Sequence, residues 1–134
     1  IVGFPGETKE NFERTRKLIE ELPFSYLHVF SYSPRSGTEA HNFKNNIKNT
    51  TKKERNLILS NLAREKALLF RKNFVGEKVT VLIEEHKQAN GVLKGHSEHY
   101  IPVRVDAEGA LQNQLVSVLI TEVQKNELVG YPEQ

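Results

Sequence analysis

The chain opens with Ile1-Val2-Gly3-Phe4-Pro5-Gly6-Glu7-Thr8. The first four residues are strand-like, and Pro5-Gly6 stops them as a turn stops a strand. Thr8 is a predicted helix N-cap, and Glu10 places a carboxylate favourably in the first helical turn. These signals predict a strand that passes through a tight loop into a helix.

The predicted helix ends before Pro23 and carries apolar or small residues at helical spacing: Phe12, Thr15, Leu18, Ile19 and Leu22. Residues 26–32 are rich in β-branched and aromatic side chains, which indicates a second strand buried on both faces. His28 is then a predicted hydrogen-bonded core histidine. Strand, helix and strand within about thirty residues predict a βαβ unit with parallel strands.

A polar surface loop is predicted for residues 33–50. Thr51 and Glu54 form a capping-box signature, so a long helix is expected to start there. One face of this helix is apolar and consists of Leu59, Ala63, Ala67, Phe70 and Phe74. The opposite face carries Lys53, Arg64, Arg71 and Lys72.

The hydrophobic period changes from helical to two after Gly76. The alternating apolar residues are Val79, Val81, Ile83, Ile101, Val103, Val105, Val116, Val118 and Ile120. Asn90-Gly91 is a hairpin signal and residues 106–109 are a second turn candidate. The expected fold is α/β followed by all-β, with one domain at 1–72 and a small five-stranded barrel at 73–134.

The composition excludes several kinds of chemistry within these 134 residues. Because there is no cysteine, the chain has no disulfide, no thiol nucleophile and no thiolate ligand for zinc or an iron–sulfur cluster. No apolar run is long enough for a membrane span and no signal peptide is visible, so a cytoplasmic location is the default. The lack of methionine and the strand-like start predict a piece of a longer protein.

The net charge of +2 hides a strong asymmetry. Residues 44–72 contain nine Lys or Arg against two Glu, a net charge of +7. Residues 73–134 contain five basic and nine acidic residues, a net charge of −4. This asymmetry indicates an anionic partner that meets mainly the basic middle of the chain.

Two motifs carry a resemblance to a known family. Residues 1–8 resemble the strand-to-loop motif of radical-SAM enzymes. Residues 32–38 resemble a second motif, that of the methylthiotransferases, and read Tyr32-Ser33-Pro34-Arg35-Ser36-Gly37-Thr38. The second half is similar to a TRAM domain, an OB-like RNA-binding barrel, at Val81, Leu82, Ile83, Glu84, Gly91, Leu93, Gly95, Tyr100, Val103, Val105, Leu128 and Gly130. Residues 22–30 are most similar to the branch that acts on threonylcarbamoyl-adenosine beside the tRNA anticodon.

The resemblance implies the end of a partial TIM-like radical-SAM barrel followed by the TRAM barrel. It implies an enzyme that uses S-adenosylmethionine and 4Fe-4S clusters to add a methylthio group to a tRNA adenosine. The cluster cysteines would lie in an N-terminal part, so this fragment is expected to be inactive alone and to contain no catalytic residue. Two alternatives remain open: a non-catalytic RNA-binding module, and the branch that modifies a ribosomal protein.

The predicted cofactor-binding residues are Gly3, Pro5, Gly6 and Glu7. They follow a strand of a parallel barrel, where active sites form, and the glycines let the backbone approach a ligand closely. An ordinary strand-to-helix turn would explain the same residues. The second motif favours the ligand-binding interpretation.

The predicted substrate-binding residues are Tyr32, Arg35, Thr38, Lys52, Lys53, Arg55 and Tyr100. Arg35 suits a phosphate or the carboxylate of a threonylcarbamoyl group, although an exposed loop arginine is the simpler explanation. Tyr32 suits base stacking or the core, Tyr100 suits base stacking, and the helix cations suit tRNA phosphates. His86, His96 and His99 are possible ligands, but no metal site is predicted. The rings of His96 and His99 would point to opposite strand faces, and there is no third ligand that obviously partners them.

Overall fold

The computed structural model describes residues 1–85, 92–107 and 111–133. Its contacts divide the chain into two compact units, Ile1–Ala67 and Leu68–Gln134. The predicted hairpin turn at Asn90-Gly91 and residues 108 and 109 of the second predicted turn lie outside the described residues. Within the described residues, no helix has the length and apolarity that a membrane span requires.

Helix α1 of the first unit spans Lys9–Glu21, and its predicted N-cap is confirmed. The Thr8 hydroxyl oxygen accepts a hydrogen bond from the Asn11 N–H at 3.1 Å, which satisfies one free donor of the first turn. The pKa of Glu10 is lowered, chiefly by a hydrogen bond to its own backbone N–H and then by the Thr8 hydroxyl. The buried stripe is narrower than predicted, because only Phe12 and Ile19 are buried.

The predicted second strand is present only as an extended segment. A parallel bridge joins Val2 to Ser31, with Val2 N–H donating to the Phe30 carbonyl and Tyr32 N–H donating to the Val2 carbonyl, both at 2.8 Å. The parallel direction was predicted, but the rest of a TIM-like barrel is not seen in the described residues and stays a prediction.

The prediction that both faces of residues 26–32 are buried was wrong. Leu27 and Val29 pack on the core, whereas Tyr26 and Phe30 are 56% and 62% exposed. His28 is exposed too, between the rings of those two residues, so it is no core histidine. The physical reason is that the packed residues of the first unit cover a single side of the segment.

Helix α2 spans Asn49–Lys72, so it starts before the predicted capping box. The Lys52 N–H already donates to the Lys48 carbonyl at 3.0 Å, which places Thr51 inside the first turn. The buried side of α2 is a single stripe at helical spacing: Lys52, Arg55, Leu59, Ala63 and Ala67. The predicted apolar face is therefore confirmed in part, and it is extended by two cations.

The second unit is a closed five-stranded barrel, as predicted. Its strands are β1 Lys78–Glu85, β2 Val92–Ser97, β3 Pro102–Asp106, β4 Leu115–Gln124 and β5 Glu127–Pro132. They are joined in the order β1-β2-β3-β5-β4 and β4 closes on β1; β3 and β5 are parallel and the other pairs antiparallel. The interior is filled by Val79, Val81, Ile83, Leu93, Ile101, Val103, Val105, Val118, Ile120 and Leu128. Phe70 and Phe74 pack against this core, so the last residues of the predicted apolar face are part of the barrel core.

Gly95 marks a point where two barrel strands leave no room for a side chain. A Cβ there would lie 1.9 Å from the Leu82 carbonyl oxygen. We expect Gly95→Ala to lower the free energy of barrel unfolding by about 3 kcal/mol, because the β1 backbone must shift. Hydrogen exchange of the barrel strands measures this. Ser117→Ala at an exposed β4 position is the control and is expected to stay within about 0.5 kcal/mol; an equal effect of both substitutions would contradict the prediction.

Candidate functional site

The first candidate site is the loop from Gly3 to Glu7. Gly3 and Gly6 have φ angles of 73° and 86°, a conformation that favours glycine. The loop is closed by a hydrogen bond from the Glu7 N–H to the Phe4 carbonyl at 2.9 Å. Pro5 is buried, whereas Gly6 is exposed and a Cβ there would meet nothing within 4 Å. The Gly6 N–H itself donates to the Asn45 carbonyl at 2.8 Å, so a ligand has room beside Gly6 but finds its amide already occupied.

Glu7 points inward. Its side chain is 15% exposed, and its two carboxylate oxygens accept hydrogen bonds from the Gly3 N–H at 3.1 and 3.2 Å. The same carboxylate forms an ion pair with Arg55 of α2. The carboxylate thus holds its own loop, and the Gly3 N–H is already occupied.

The three predicted phosphate contacts of α2 occupy two different environments. Lys53 is exposed, as a phosphate contact requires. Lys52 and Arg55 are each only 8% exposed and lie in the buried stripe of α2. The sequence signal for their burial was available, since positions 52, 55 and 59 continue the helical period of the core stripe.

The second candidate site is a cavity of about 710 Å³ that brings together Tyr32, Arg35 and Thr38. Its other lining residues are Ile1, Phe30, Ser31, Ser33 and Ala40. The Thr38 hydroxyl donates to the Arg35 carbonyl at 2.8 Å and fixes the turn that carries the guanidinium. Three residues predicted to bind substrate therefore line one concave surface that includes two aromatic rings and a cation.

Tyr32 connects the two candidate sites. Its ring meets that of Phe4 edge-on, with centroids 5.1 Å apart, and the Lys52 ammonium lies 5.3 Å from its centroid. Among the described residues its buried hydroxyl has no hydrogen-bond partner. Tyr32 is only partly buried, so it combines packing with an unused polar group.

Tyr100 is displayed at the turn between β2 and β3. It is 82% exposed and has a φ of 58°, an unfavourable backbone conformation for a bulky residue. Its N–H donates to the Ser97 carbonyl at 2.9 Å, and the Ser97 N–H donates to the Ile101 carbonyl at 3.0 Å. The turn thus holds an aromatic ring away from the barrel at a cost in backbone energy.

Two cations of the described barrel surface have acidic or polar partners. Lys78 pairs with Glu133 at 2.6 Å, and Arg104 donates to the Gln124 side chain at 3.1 Å. Lys94 is the register partner of Arg104 on β2, so these two cations form one small patch. Lys87 lies outside the described residues.

The exposed cations of the predicted basic stretch are Lys44, Lys48, Lys53, Arg64 and Lys72. Arg71 is less accessible, and burial lowers the pKa of its guanidinium. The exposed positive charge of this stretch therefore lies on the loop before α2 and on the outer side of that helix.

No metal centre is formed by the described residues, which include no cluster of three or more His, Cys, Asp or Glu side chains. His96 lies 2.6 Å from a Glu84 carboxylate oxygen, and His99 packs on the Phe74 ring at 5.0 Å. His86 lies outside the described residues. Since the chain has no cysteine, its residues do not fit an iron–sulfur cluster.

Comparison with known proteins finds relatives over nearly the whole chain, whereas no family model matches it. The tRNA-2-methylthio-N(6)-dimethylallyladenosine synthase of Bartonella tribocorum is 38% identical over 130 residues, which are 97% of this chain and 28% of that protein. The same enzyme of Geobacillus kaustophilus is 40% identical over 131 residues, 97% of this chain and 25% of that protein. The threonylcarbamoyladenosine tRNA methylthiotransferase MtaB of Thermotoga maritima is 41% identical over 101 residues, 75% of this chain and 23% of that protein. The chain thus spans about a quarter of the length of these relatives.

The buried hydroxyl of Tyr32, which lacks a hydrogen-bond partner among the described residues, is predicted to lower the stability of the first unit. Tyr32→Phe is expected to raise the local free energy of unfolding by about 1 kcal/mol, because it removes a buried polar atom that lacks a partner. Hydrogen exchange of the first unit measures this, with Tyr26→Phe at an exposed position as the control. A loss of stability in Tyr32→Phe would show that the hydroxyl has a structural partner.

Proposed function

We propose that this chain forms the C-terminal part of a radical-SAM tRNA methylthiotransferase. The chain belongs to the family of tRNA methylthiotransferases, since it is homologous over 97% of its length to enzymes of that family. In this proposal it supplies one wall of the S-adenosylmethionine pocket and a module that holds tRNA near the anticodon. The observation that carries the proposal is the meeting of the two motifs. Tyr32 donates from its backbone to Val2, packs on Phe4, and lines one cavity with Arg35 and Thr38.

The cavity suits a modified adenosine. Its volume of about 710 Å³ lies within the ordinary range for small-ligand sites. The rings of Phe30 and Tyr32 offer apolar surface for a base. Arg35 adds a guanidinium that can bind a carboxylate in bidentate fashion.

This chemistry supports threonylcarbamoyl-adenosine as the substrate. That nucleoside carries a carboxylate, whereas dimethylallyl-adenosine presents only an apolar tail. Both nucleosides appear in the names of the relatives, at similar identity. We therefore base the choice on Arg35 and on the likeness of residues 22–30 to the threonylcarbamoyl branch.

The proposed cofactor wall is the loop from Gly3 to Glu7. Gly6 leaves open space beside the backbone next to the buried Pro5, whereas Gly3 and Glu7 shape the loop from inside. When bound, S-adenosylmethionine and the clusters supply the radical chemistry and the methylthio transfer. The cluster ligands must come from elsewhere, because this chain has no cysteine.

The RNA-binding part of the proposal rests on charge and stacking. Lys44, Lys48 and Lys53 present free positive charge for phosphates. Tyr100 presents an exposed ring for a base. The same two features favour the second candidate, a module that binds RNA without catalysis. A ribosomal-protein substrate is less well supported, since the relatives described above are all named for tRNA adenosines.

We expect the chain to bind an unmodified tRNA anticodon stem-loop with an affinity that falls steeply as salt rises, because phosphate contacts release counterions. Tyr100→Ala is expected to weaken binding about tenfold and to leave the salt dependence unchanged, since stacking is not ionic. Fluorescence anisotropy over a salt series measures both. Tyr131→Ala, at a half-exposed position of β5, is the matched control. Absence of binding at the lowest salt would remove the RNA-holding role.

A comparison of three anticodon stem-loops tests the choice of nucleoside. We expect tighter binding when the loop adenosine carries threonylcarbamoyl than when it carries dimethylallyl or no group. Arg35→Gln is expected to reduce that preference about tenfold, because a charge-assisted bond is lost. Arg14→Gln, at an exposed position of α1, removes the same charge from a residue that does not line the cavity and serves as the control. Equal affinity for all three RNAs would contradict the choice.

A further inference from the structure

The buried stripe of α2 contains two cations, Lys52 and Arg55, where the remaining members are Leu or Ala. Each is 8% exposed. Lysine and arginine are almost never buried to this degree unless they are paired. Their partners therefore show what they do in the folded chain.

Arg55 binds Glu7 at two places. Its Nη1 donates to the Glu7 backbone carbonyl at 3.0 Å and also pairs with the Glu7 carboxylate. Its guanidinium carbon lies 5.2 Å from the centroid of the Phe12 ring, so the group is enclosed by the loop and by α1. A planar guanidinium can serve these partners together, which an ammonium does less well.

The Glu7 carboxylate passes this constraint on to the start of the loop. It accepts the Gly3 N–H at 3.1 and 3.2 Å while it holds Arg55. The Glu7 carboxylate thus connects the Arg55 guanidinium to the Gly3 N–H, and these contacts span the loop from Gly3 to Glu7. The Gly3 N–H donates to a carboxylate of its own loop and is not available to a ligand. Glu7 therefore fixes the start of the loop by accepting this hydrogen bond.

Lys52 reaches both motif loops. Its ammonium donates to the Tyr32 carbonyl at 3.3 Å, at the start of the second motif. Its aliphatic chain lies against Gly3, where an added Cβ would be 2.4 Å from Lys52 Cγ. One side chain therefore packs under the first loop and holds the second.

We propose that Arg55 and Lys52 are positioning residues that fix the loops 3–7 and 32–38, and that neither contacts an RNA phosphate. What the two loops bind rests on the proposed function. The positioning role rests only on contacts within the first unit. The positioning role and the proposed function can therefore be tested, and can fail, independently.

The first test follows the amide exchange of Gly3 in the 134-residue chain by NMR. Arg55→Gln and Glu7→Met are each expected to speed Gly3 exchange about tenfold or more, because the acceptor is displaced or absent. Glu7→Gln keeps an acceptor oxygen and is expected to restore part of the protection. Unchanged Gly3 exchange in Glu7→Met would overturn the proposal.

A charge reversal separates positioning from simple stabilisation. Glu7→Arg combined with Arg55→Glu restores an ion pair but gives Gly3 no acceptor at position 7. We expect α1 to keep its protection in this double variant while Gly3 exchanges fast. Protection of Gly3 in the folded double variant would show that Glu7 does not hold it. This variant also decides the matter if Arg55→Gln alone fails to fold.

The second test uses the anticodon stem-loop and the salt series. Lys53→Gln is expected to reduce the salt slope by about 1, as the loss of one phosphate contact does, and to leave Gly3 exchange unchanged. Arg55→Gln removes the same charge from the same helix and is expected to leave the slope unchanged. A slope reduced equally by Arg55→Gln, with Gly3 still protected, would identify Arg55 as a phosphate contact and overturn the proposal.

Discussion

The first unit depends on one largely buried carboxylate. Glu7 is held between the Gly3 N–H and the Arg55 guanidinium, and removal of Arg55 would leave the Glu7 charge without its ionic partner. Breaking a buried pair of this kind costs about 3–5 kcal/mol, far more than loss of an exposed pair. This constraint ties down a loop that contains two left-handed glycines. It also explains why the first turns of α2 lie against that loop with cations in place of apolar residues.

Local signals predicted much of the architecture. The Thr8 cap, the period-two alternation after Gly76 and the apolar face of α2 each depend on neighbours close in sequence, and each is seen in the structure. The burial of Lys52 and Arg55 depends on partners 20 and 48 residues away, which no local pattern contains. Their charge led to the prediction that both contact phosphates. Their helical spacing with Leu59 indicates that they belong to the buried stripe, and the structure agrees with the spacing.

Residues 26–32 show a different limit of sequence reasoning. Aromatic and β-branched composition predicted a strand covered on both faces, but the alternation is Leu27 and Val29 inward against Tyr26 and Phe30 outward. Composition reports how much apolar surface a strand carries, and it does not report whether a second layer exists to cover it. The chain spans about a quarter of the length of its relatives. In the proposed enzyme, this aromatic face is the surface that a completed radical-SAM barrel would enclose.

An acidic barrel is an unusual RNA-binding module for the proposed tRNA-modifying enzyme, because RNA is itself negatively charged. Residues 73–134 carry a net charge of −4, and the Lys78 ammonium is already paired with Glu133. Attraction by charge therefore falls to the exposed lysines before and within the start of α2. Tyr100 offers a different contribution, because a ring held outward at a φ of 58° costs backbone energy that packing does not return. Stacking tolerates any base and is insensitive to net charge. In the proposed function, the basic stretch would supply affinity for phosphates and the barrel would supply contact with an unstacked base.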